Sequence, residues 1–141
     1  MKLKFKKLYQ EAKLPIYSNA GDAGIDLYAH SISFENSYRV KYGTGVAVEI
    51  PQGYVGLLLP RSSVVKRGLR LANGTGVIDS NFRGEILAYF QINTTSGKQL
   101  YYVGDRVAQL VVVPCPTWEI EEYEQLSSTE RGDKGFGSSG Q

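Results

Sequence analysis

Residues 73–85 concentrate the side chains of this sequence that could carry out chemistry. The stretch reads Asn-Gly-Thr-Gly-Val-Ile-Asp-Ser-Asn-Phe-Arg-Gly-Glu, with three glycines, two acids, one arginine and one phenylalanine. Asp79 directly follows two apolar residues, and a carboxylate in such a place is costly unless it is hydrogen-bonded, exposed at a cleft or paired with a cation. The glycines permit tight turns or the close approach of a ligand to the backbone. The stretch therefore fits either an aspartate-capped turn between strands or a binding site.

Four further segments combine glycines with hydroxyl or charged side chains. They are residues 20–27 (Ala-Gly-Asp-Ala-Gly-Ile-Asp-Leu), 60–68 (Pro-Arg-Ser-Ser-Val-Val-Lys-Arg-Gly), 104–110 (Gly-Asp-Arg-Val-Ala-Gln-Leu) and 131–140 (Arg-Gly-Asp-Lys-Gly-Phe-Gly-Ser-Ser-Gly). The second segment places two serines in the first turn of a short helix, where free backbone N–H groups attract anions, although a serine-capped surface helix has the same pattern. In the third, Gln109 is polar inside an apolar run and needs a hydrogen-bond partner.

The last segment has the composition of a disordered tail, apart from one aromatic residue. Phe136 stands among four glycines, two serines and two cationic residues. A flexible linker has no use for a phenylalanine, whereas an arm that closes over a planar base and a polyphosphate does. Composition alone leaves both interpretations open.

The composition of the whole chain excludes several classes of protein. Its 141 residues are enough for one domain with a core of its own, and a net charge of +2 is too small to indicate a nucleic-acid or membrane partner. A single cysteine, Cys115, and a single histidine, His30, exclude an internal disulfide and a multi-histidine or thiolate metal cluster. No apolar run approaches the roughly 18 residues of a membrane span, and the basic start lacks an apolar signal core. We expect a soluble, cytoplasmic protein.

Period-two alternation and frequent turn signals predict an all-β fold, a sandwich or barrel of short strands. The predicted strands are residues 2–8, 25–29, 32–34, 38–41, 46–50, 54–59, 77–78, 85–93, 99–103, 106–113 and 118–123. We expect 106–113 to be central and buried because it is almost continuously apolar. Residues 61–67 predict the one short helix, ended by Gly68. The composition shift at Ser127 predicts a folded domain over 1–126 and a flexible C-terminal tail over 127–141.

The five segments, in this order and at these separations, resemble the five motifs of the trimeric deoxyuridine triphosphate nucleotidohydrolases (dUTPases). The resemblance spans residues 20–140 and rests on Gly-Val-Ile-Asp…Phe-Arg-Gly-Glu, Pro-Arg-Ser-Ser, Gly-Asp-Arg-Val-Ala-Gln-Leu and Arg-Gly…Gly-Phe-Gly-Ser. It implies a distorted, jelly-roll-like β-sandwich that assembles as a homotrimer with shared active sites. It also implies hydrolysis of dUTP to dUMP and pyrophosphate with Mg²⁺.

The resemblance also implies roles for individual residues. Asp79 would orient and activate the water that attacks the α-phosphorus, and Ser62 would donate a hydrogen bond to the oxygen at the scissile linkage. Phe82 stands where the family usually has tyrosine, and its ring would pack under the deoxyribose and exclude a 2′-hydroxyl. The phosphates and waters would hold Mg²⁺, with Asp26 touching the ion only through a water.

The remaining implied roles concern substrate binding. Asn73 would hydrogen-bond uracil, because an amide offers both a donor and an acceptor. Phe136 would stack on uracil and Arg131 would grip the γ-phosphate, with the tail closing over a neighbouring subunit's site. The implied substrate-binding residues are Arg61, Ser63, Asn73, Gly76, Val77, Ile78, Phe82, Gln109, Arg131, Phe136, Gly137, Ser138 and Ser139.

Three positions depart from the family pattern. Lys134 and Ser63 stand where glycine is common, and Asn81 replaces a common aspartate. We expect activity to survive these changes. Two alternatives stay open: a dCTP deaminase, which shares the fold and in which Glu85 would be the general acid–base, and a non-catalytic relative such as a phage regulatory protein.

The sequence offers no chemical role for three isolated residues. These are His30, Cys115 and Trp118, which we expect to serve only in packing. Residues 83–85 are the least assigned part of the opening stretch, and we expect them at a subunit contact.

Overall fold

The fold is almost entirely antiparallel β-structure. The structure is a computed structural model, which describes residues 1–93 and 99–135. Its strands are β1 (Lys4–Lys7), β2 (Ile25–Tyr28), β3 (Ser31–Asn36), β4 (Arg39–Gly43), β5 (Val46–Glu49), β6 (Tyr54–Pro60), β7 (Leu69–Leu71), β8 (Gly76–Ile78), β9 (Leu87–Ile92) and β10 (Arg106–Pro114), with a 3₁₀ helix at Ser62–Lys66. The predicted all-β class is confirmed.

Two four-stranded sheets form the body of the molecule. Their strand orders are β2-β10-β6-β8 and β3-β4-β9-β7, and a two-stranded ribbon joins β1 to β5. Neighbours in a sheet are mostly distant in sequence, as in a jelly roll. Apolar side chains from both sheets, such as Leu110 from the first and Phe90 from the second, belong to one buried cluster. The two sheets therefore pack as a sandwich.

Strand β10 has the central position that its apolar sequence predicted. It pairs with β2 on one side and with β6 on the other. The pairing sets Gln109 opposite Asp26 on β2 and opposite Leu59 on β6. This register places the ends of β2, β6 and β10 side by side at one end of the sheet, together with the motif residues on them.

An aromatic group fills the centre of the sandwich. Tyr42 and Tyr101 meet edge to face with ring centroids 5.9 Å apart, and Phe90 lies against both. The Tyr42 hydroxyl accepts the Tyr101 N–H at 3.0 Å and donates to the Tyr101 carbonyl at 3.3 Å. Burial raises the pKa of Tyr42 to about 12, so this hydroxyl keeps its proton. Both polar groups of the buried backbone segment are thereby satisfied.

Two of the predicted strands are wrong. Residues 99–103 form no strand, because the backbone of Tyr101 bonds to a side chain instead of a neighbouring strand. Residues 118–123 form none either, and Trp118 and Ile120 are 78% and 95% exposed. Alternation alone makes no strand when no partner strand lies beside it. The short β7 was missed, since three residues are too few to show a period.

The isolated residues differ in their surroundings. His30 stacks on Tyr9 with ring centroids 4.7 Å apart, as a packing role requires. Cys115 and Trp118 are exposed, so the expected packing role is wrong for both within this chain. After β10 the described residues 115–135 are exposed and form no strand or helix. The described residues also contain no helix that is long and apolar enough to cross a membrane.

Candidate active site

The first candidate cleft, which we call the charged cleft, lies where β2, β6 and β10 end. It has a volume of about 510 Å³. Its lining residues are Ser18, Asn19, Asp22, Ala23, Gly24, Asp26, Arg61, Ser62, Arg106 and Gln109. Three of the five sequence segments meet here, and the predicted residues Asp26, Arg61, Ser62 and Gln109 are among those brought together.

Asp26 is the electrostatic centre of the charged cleft. It is 6% exposed, and its carboxylate accepts hydrogen bonds from Arg61 Nε at 2.7 Å, Ser18 Oγ at 2.6 Å and Arg106 Nη1 at 3.1 Å. Burial raises the pKa of Asp26, but the hydrogen bonds from Ser18 and Arg61 and the charges of both arginines outweigh it and lower the pKa below its ordinary value. Asp26 is therefore ionised at neutral pH and holds two cations at the cleft.

Ser18 and Arg106 take part in this cluster although the sequence analysis assigned them no role. Arg106 lies in the Gly-Asp-Arg part of segment 104–110, so a signal was present. Between Arg106 and Ala108 the pairing of β10 with β2 shifts register. Such an irregularity re-aims a side chain, and here the side chain of Arg106 lies against Asp26. No sequence pattern predicted the shift.

Gln109 has the partner that its position required. Its side-chain amide donates to the Pro60 carbonyl at 2.9 Å. A Cβ atom at position 24 would lie 2.2 Å from the Gln109 Oε1 atom, so any side chain there would displace the Gln109 amide. Gly24 thus leaves room for the Gln109 side chain, which ties the end of β6 to β10.

The predicted short helix is confirmed as a 3₁₀ helix. Arg61 precedes it in an extended conformation, and Gly68 follows it with a φ of 62°. Ser62 is exposed and lines the charged cleft, whereas the Ser63 hydroxyl hydrogen-bonds the Tyr101 hydroxyl at 3.1 Å and Ser63 does not line the cleft. The two serines of the motif therefore face different surroundings.

The second candidate cleft, which we call the β8 cleft, has a volume of about 230 Å³. Its lining residues are Leu58, Asn73, Gly76, Val77, Ile78, Phe82, Glu85, Ile86 and Leu87. The structure thus gathers all the residues for which the sequence predicted contact with a base or sugar, except those of the tail. Its walls are mostly backbone and apolar side chains.

Glycines shape the β8 cleft. A Cβ atom at position 84 would lie 2.6 Å from Cζ of Phe82, so the aromatic ring folds back over a bare backbone. A Cβ atom at position 76 would lie 3.0 Å from the Leu58 side chain. Glu85 accepts the Gly45 N–H at 2.7 Å, which anchors the segment after the ring to the turn between β4 and β5.

Asp79 lies in the turn that leaves β8. It is exposed, and its carbonyl accepts the Phe82 N–H at 3.1 Å. It lines neither the charged cleft nor the β8 cleft, and the two clefts share no lining residue. One chain therefore does not bring Asp79, Ser62 and Asn73 together around a single cleft.

The tail residues are only partly described. Arg131 is exposed and its Nε donates to the Lys134 carbonyl at 3.1 Å within a turn. Phe136, Gly137, Ser138 and Ser139 lie outside the described residues. Within residues 1–93 and 99–135, no three His, Cys, Asp or Glu side chains gather in a way that could hold a metal ion.

A jelly-roll-like sandwich together with these five sequence segments is typical of one class of nucleotide hydrolases, the dUTPases. The family model for dUTPase matches residues 10–140, and the chain belongs to the dUTPase family. This membership confirms the family that the five motifs predicted, together with the predicted hydrolase class.

Several relatives are similar over nearly their whole length. The deoxyuridine 5′-triphosphate nucleotidohydrolase of Hydrogenobaculum sp. is 40% identical over 99% of both chains. That of Nautilia profundicola is 43% identical over 99% of both. Among solved structures, a mutant dUTPase of Staphylococcus bacteriophage 80alpha with dUpNHpp has a TM-score of 0.87 at 32% identity, covering 99% of this chain and 98% of that one. A mutant dUTPase from phage phi11 of S. aureus, described with a structural Mg(II) ion, has a TM-score of 0.77 at 29% identity, covering 89% and 98%.

Proposed function

We propose that the protein hydrolyses dUTP to dUMP and pyrophosphate by attack of a water molecule on the α-phosphorus. The observation that carries the proposal is the charged cleft, where Asp26 holds Arg61 and Arg106 beside the exposed hydroxyl of Ser62. Two fixed guanidinium groups and a hydroxyl donor suit a polyphosphate chain. Family membership supports the choice of dUTP as the nucleotide.

The arginines are held before any substrate arrives. Arg61 uses Nε to bond Asp26, so its two amino groups remain available to a phosphate. A guanidinium held by a buried carboxylate need not reorganise when it meets a phosphate, and preorganised charge of this kind contributes strongly to catalysis. In our proposal Arg61 and Gln109 orient the phosphates, and Ser62 donates to the oxygen that leaves the α-phosphorus.

The β8 cleft is proposed to bind the nucleoside. Asn73 would read the uracil edge, aided by the backbone from Gly76 to Ile78, and the Phe82 ring would pack under the deoxyribose. The backbone is accessible there because Gly76 has no side chain to cover it. Such a wall of backbone and ring would leave no room for a 2′-hydroxyl.

Asp79 is proposed to accept the proton of the attacking water. A carboxylate at the mouth of a site can act as a general base when the water is held within hydrogen-bond distance. Asp79 follows β8 directly, so the strand that forms the nucleoside cleft also sets the position of the base. Among the residues that line the β8 cleft only Glu85 offers a carboxylate, and Glu85 is engaged with the Gly45 N–H.

The complete site is proposed to form between copies of the chain in a homotrimer. The support is that the two clefts share no lining residue and that Asp79 lines neither. Asp79 and the β8 cleft of one subunit would then face the charged cleft of another. The C-terminal arm of a further copy, with Arg131 on the γ-phosphate and Phe136 on uracil, would close the site.

The residues of the charged cleft fit a magnesium ion that is held mainly by phosphates and water. Asp26 already accepts hydrogen bonds on both carboxylate oxygens, which leaves contact through a water as its natural mode. Mg²⁺ keeps several waters when it binds beside phosphates. When bound, it would neutralise charge on the phosphate oxygens. The protein's own part is to hold Asp26 and the two arginines in place.

One assay tests the reaction and its rivals. The protein is incubated with Mg²⁺ and, separately, with dUTP, dCTP, dTTP and UTP, while pyrophosphate and ammonia are measured. We expect pyrophosphate from dUTP alone. Ammonia from dCTP would support the deaminase, with Glu85 as the acid–base, and the absence of both products would support a non-catalytic binder.

A mixing experiment tests the shared site. Ser62→Ala and Asp79→Asn variants are each expected to lose nearly all of their activity, and co-expression in one cell gives mixed trimers. If the two residues come from different subunits, about a quarter of the sites in a random mixture contain both wild-type groups and activity returns. If they come from one chain, the mixed trimers stay inactive.

A truncation tests the arm. Removing residues 131–141 is expected to lower turnover by about a hundredfold, because the substrate loses a stacking ring and a cation. The thermal midpoint should hardly change, since the described part of the tail is exposed. An unchanged rate would return these residues to the status of a linker.

A further inference from the structure

The 3₁₀ helix that presents Ser62 has little support of its own. Its N-cap residue, Arg61, makes no side-chain capping bond, and none of the five helical residues is buried. Short 3₁₀ helices have poorer hydrogen-bond geometry than α-helices, so they depend on outside contacts to keep their position. Yet this helix must set the direction of a hydroxyl and a guanidinium to a fraction of an ångström for the proposed reaction.

Tyr101 is a fixed point close to that helix. It is 1% exposed, and both its backbone N–H and its carbonyl bond to the Tyr42 hydroxyl. Its ring packs edge to face on Tyr42 and lies beside Phe90. The Tyr101 hydroxyl is therefore held by the core of the sandwich and not by a mobile loop.

Two contacts fasten the helix to Tyr101. At its start, the Ser63 and Tyr101 hydroxyls are hydrogen-bonded at 3.1 Å. Just beyond its end, the Arg67 guanidinium stacks over the Tyr101 ring at 4.1 Å from the centroid and donates to the Leu100 carbonyl at 2.8 Å. Ser63 points its hydroxyl to this anchor and is absent from the lining of the charged cleft.

We propose that Ser63 is a positioning residue, whose hydrogen bond to Tyr101 fixes the helix so that Ser62 and Arg61 face the substrate. The inference rests on the proposed function of those two residues. It replaces the phosphate contact that the family resemblance implied for Ser63. The glycine that the family resemblance gives as common at this position could not make the bond.

The bond can be cut from either side. Ser63→Ala and Tyr101→Phe each remove one hydroxyl and leave the rest of the side chain in place, and Ser63→Thr keeps the hydroxyl. We expect each single cut to lower kcat for dUTP about fivefold with little change in KM, the loss of one neutral hydrogen bond. The double variant should be no slower than either single one, and Ser63→Thr should recover most of the rate.

Three results would overturn the proposal. If Ser63→Ala raises KM while Tyr101→Phe changes nothing, Ser63 is a phosphate ligand. If the two effects multiply in the double variant, they are independent. If both variants keep the wild-type kcat, the bond positions nothing. These outcomes are separate from failure of the proposed function, which would appear as an absence of dUTP hydrolysis by the wild-type protein.

Discussion

The charged cleft and the β8 cleft are built in opposite ways. In the charged cleft the side chains hold one another, with Asp26 taking bonds from Ser18 and two arginines. Within the part of the chain that the structure describes, neither Asn73 in the β8 cleft nor Asp79 just after it has a side-chain hydrogen bond. In the proposed function, the polar groups assigned to phosphate are thus locked in advance, whereas those assigned to the base and to proton transfer are left available.

The difference follows from the cost of bringing like charges together. Two guanidinium groups repel each other unless an anion lies between them, and a buried carboxylate supplies it at the expense of its own hydration. The neutral base proposed for the β8 cleft carries no such demand, so shape would be enough there. Gly76 and Gly84 supply that shape by leaving room for the Leu58 side chain and the Phe82 ring. The charged cleft is therefore sensitive to charge and the β8 cleft to volume.

The largest effect should come from the group that belongs to neither cleft. Asp79→Asn keeps the shape of the side chain but cannot take a proton, so we expect kcat to fall about a thousandfold. The thermal midpoint should stay within experimental error because Asp79 is exposed. Pyrophosphate release and thermal unfolding measure the two quantities. Glu35→Gln, the same change on the outer strand β3, is the control and should keep full activity. More than a tenth of wild-type activity in Asp79→Asn would show that another group is the base.

Ser62→Ala tests the chemistry of the charged cleft. Loss of one donor to the leaving oxygen is expected to lower kcat about a hundredfold, with a smaller change in KM. Ser33→Ala, at an exposed serine on β3, is the matched control. A rise in KM at constant kcat would mean that Ser62 binds substrate and transition state equally well, and its catalytic role would then be wrong.

Much of the fold could be predicted from the sequence because alternation and turns are local. Strands such as β5, β6, β9 and β10 lie within two residues of their predicted bounds. The segment at 118–123 shows the limit: Trp118 and Ile120 alternate with glutamates as an edge strand would, but pairing depends on a neighbour. A strand is a property of two segments, and one segment cannot reveal it.

The sequence predicted which residues belong to the site, but not which of them hydrogen-bond to one another. The motifs identified Asp26, Arg61 and Gln109, which do line one cleft. The link from Asp26 to Arg106 depends on the register of β10 against β2 and on the shift between Arg106 and Ala108. The bond from Ser63 to Tyr101 likewise joins segments 38 residues apart. Such contacts follow from tertiary geometry, which the order of residues along one segment does not contain.

A substitution that adds side-chain volume should affect the β8 cleft selectively. Gly84→Ala places a Cβ atom where the Phe82 ring now lies, 2.6 Å from Cζ, and should displace the ring outward. We expect the preference for dUTP over UTP, as the ratio of kcat/KM values, to fall about tenfold. The ratio controls for a general loss of folding or activity, because such a loss lowers kcat/KM for both nucleotides alike. An unchanged ratio would show that the Phe82 ring does not exclude the 2′-hydroxyl.

The smallest effect concerns stability, and it distinguishes the buried charge of Asp26 from a surface charge. The folded-state pKa of Asp26 lies below its ordinary value of 3.8, so the stabilisation is fully present above about pH 3.8 and is lost as the pH falls through the lower, folded-state pKa. Asp26→Asn should therefore reduce the free energy of unfolding by about 2 kcal/mol at pH 7 and by progressively less below pH 3.8. Urea unfolding of the wild-type and Asp26→Asn proteins, at pH 7 and again below pH 3.8, measures the difference.

Glu49→Gln is the matched control, because Glu49 pairs with Lys4 at 2.7 Å on the open surface. Its pKa is also lowered, first by the hydrogen bond from Lys4, yet water screens the pair and we expect hardly any change in unfolding at either pH. An equal effect of both substitutions would mean that Asp26 acts as an ordinary surface ion pair. The strands, and not the carboxylate, would then set the geometry of the charged cleft. A buried anion that holds two cations must change the free energy of unfolding when it is protonated, and its protonation falls in this pH range.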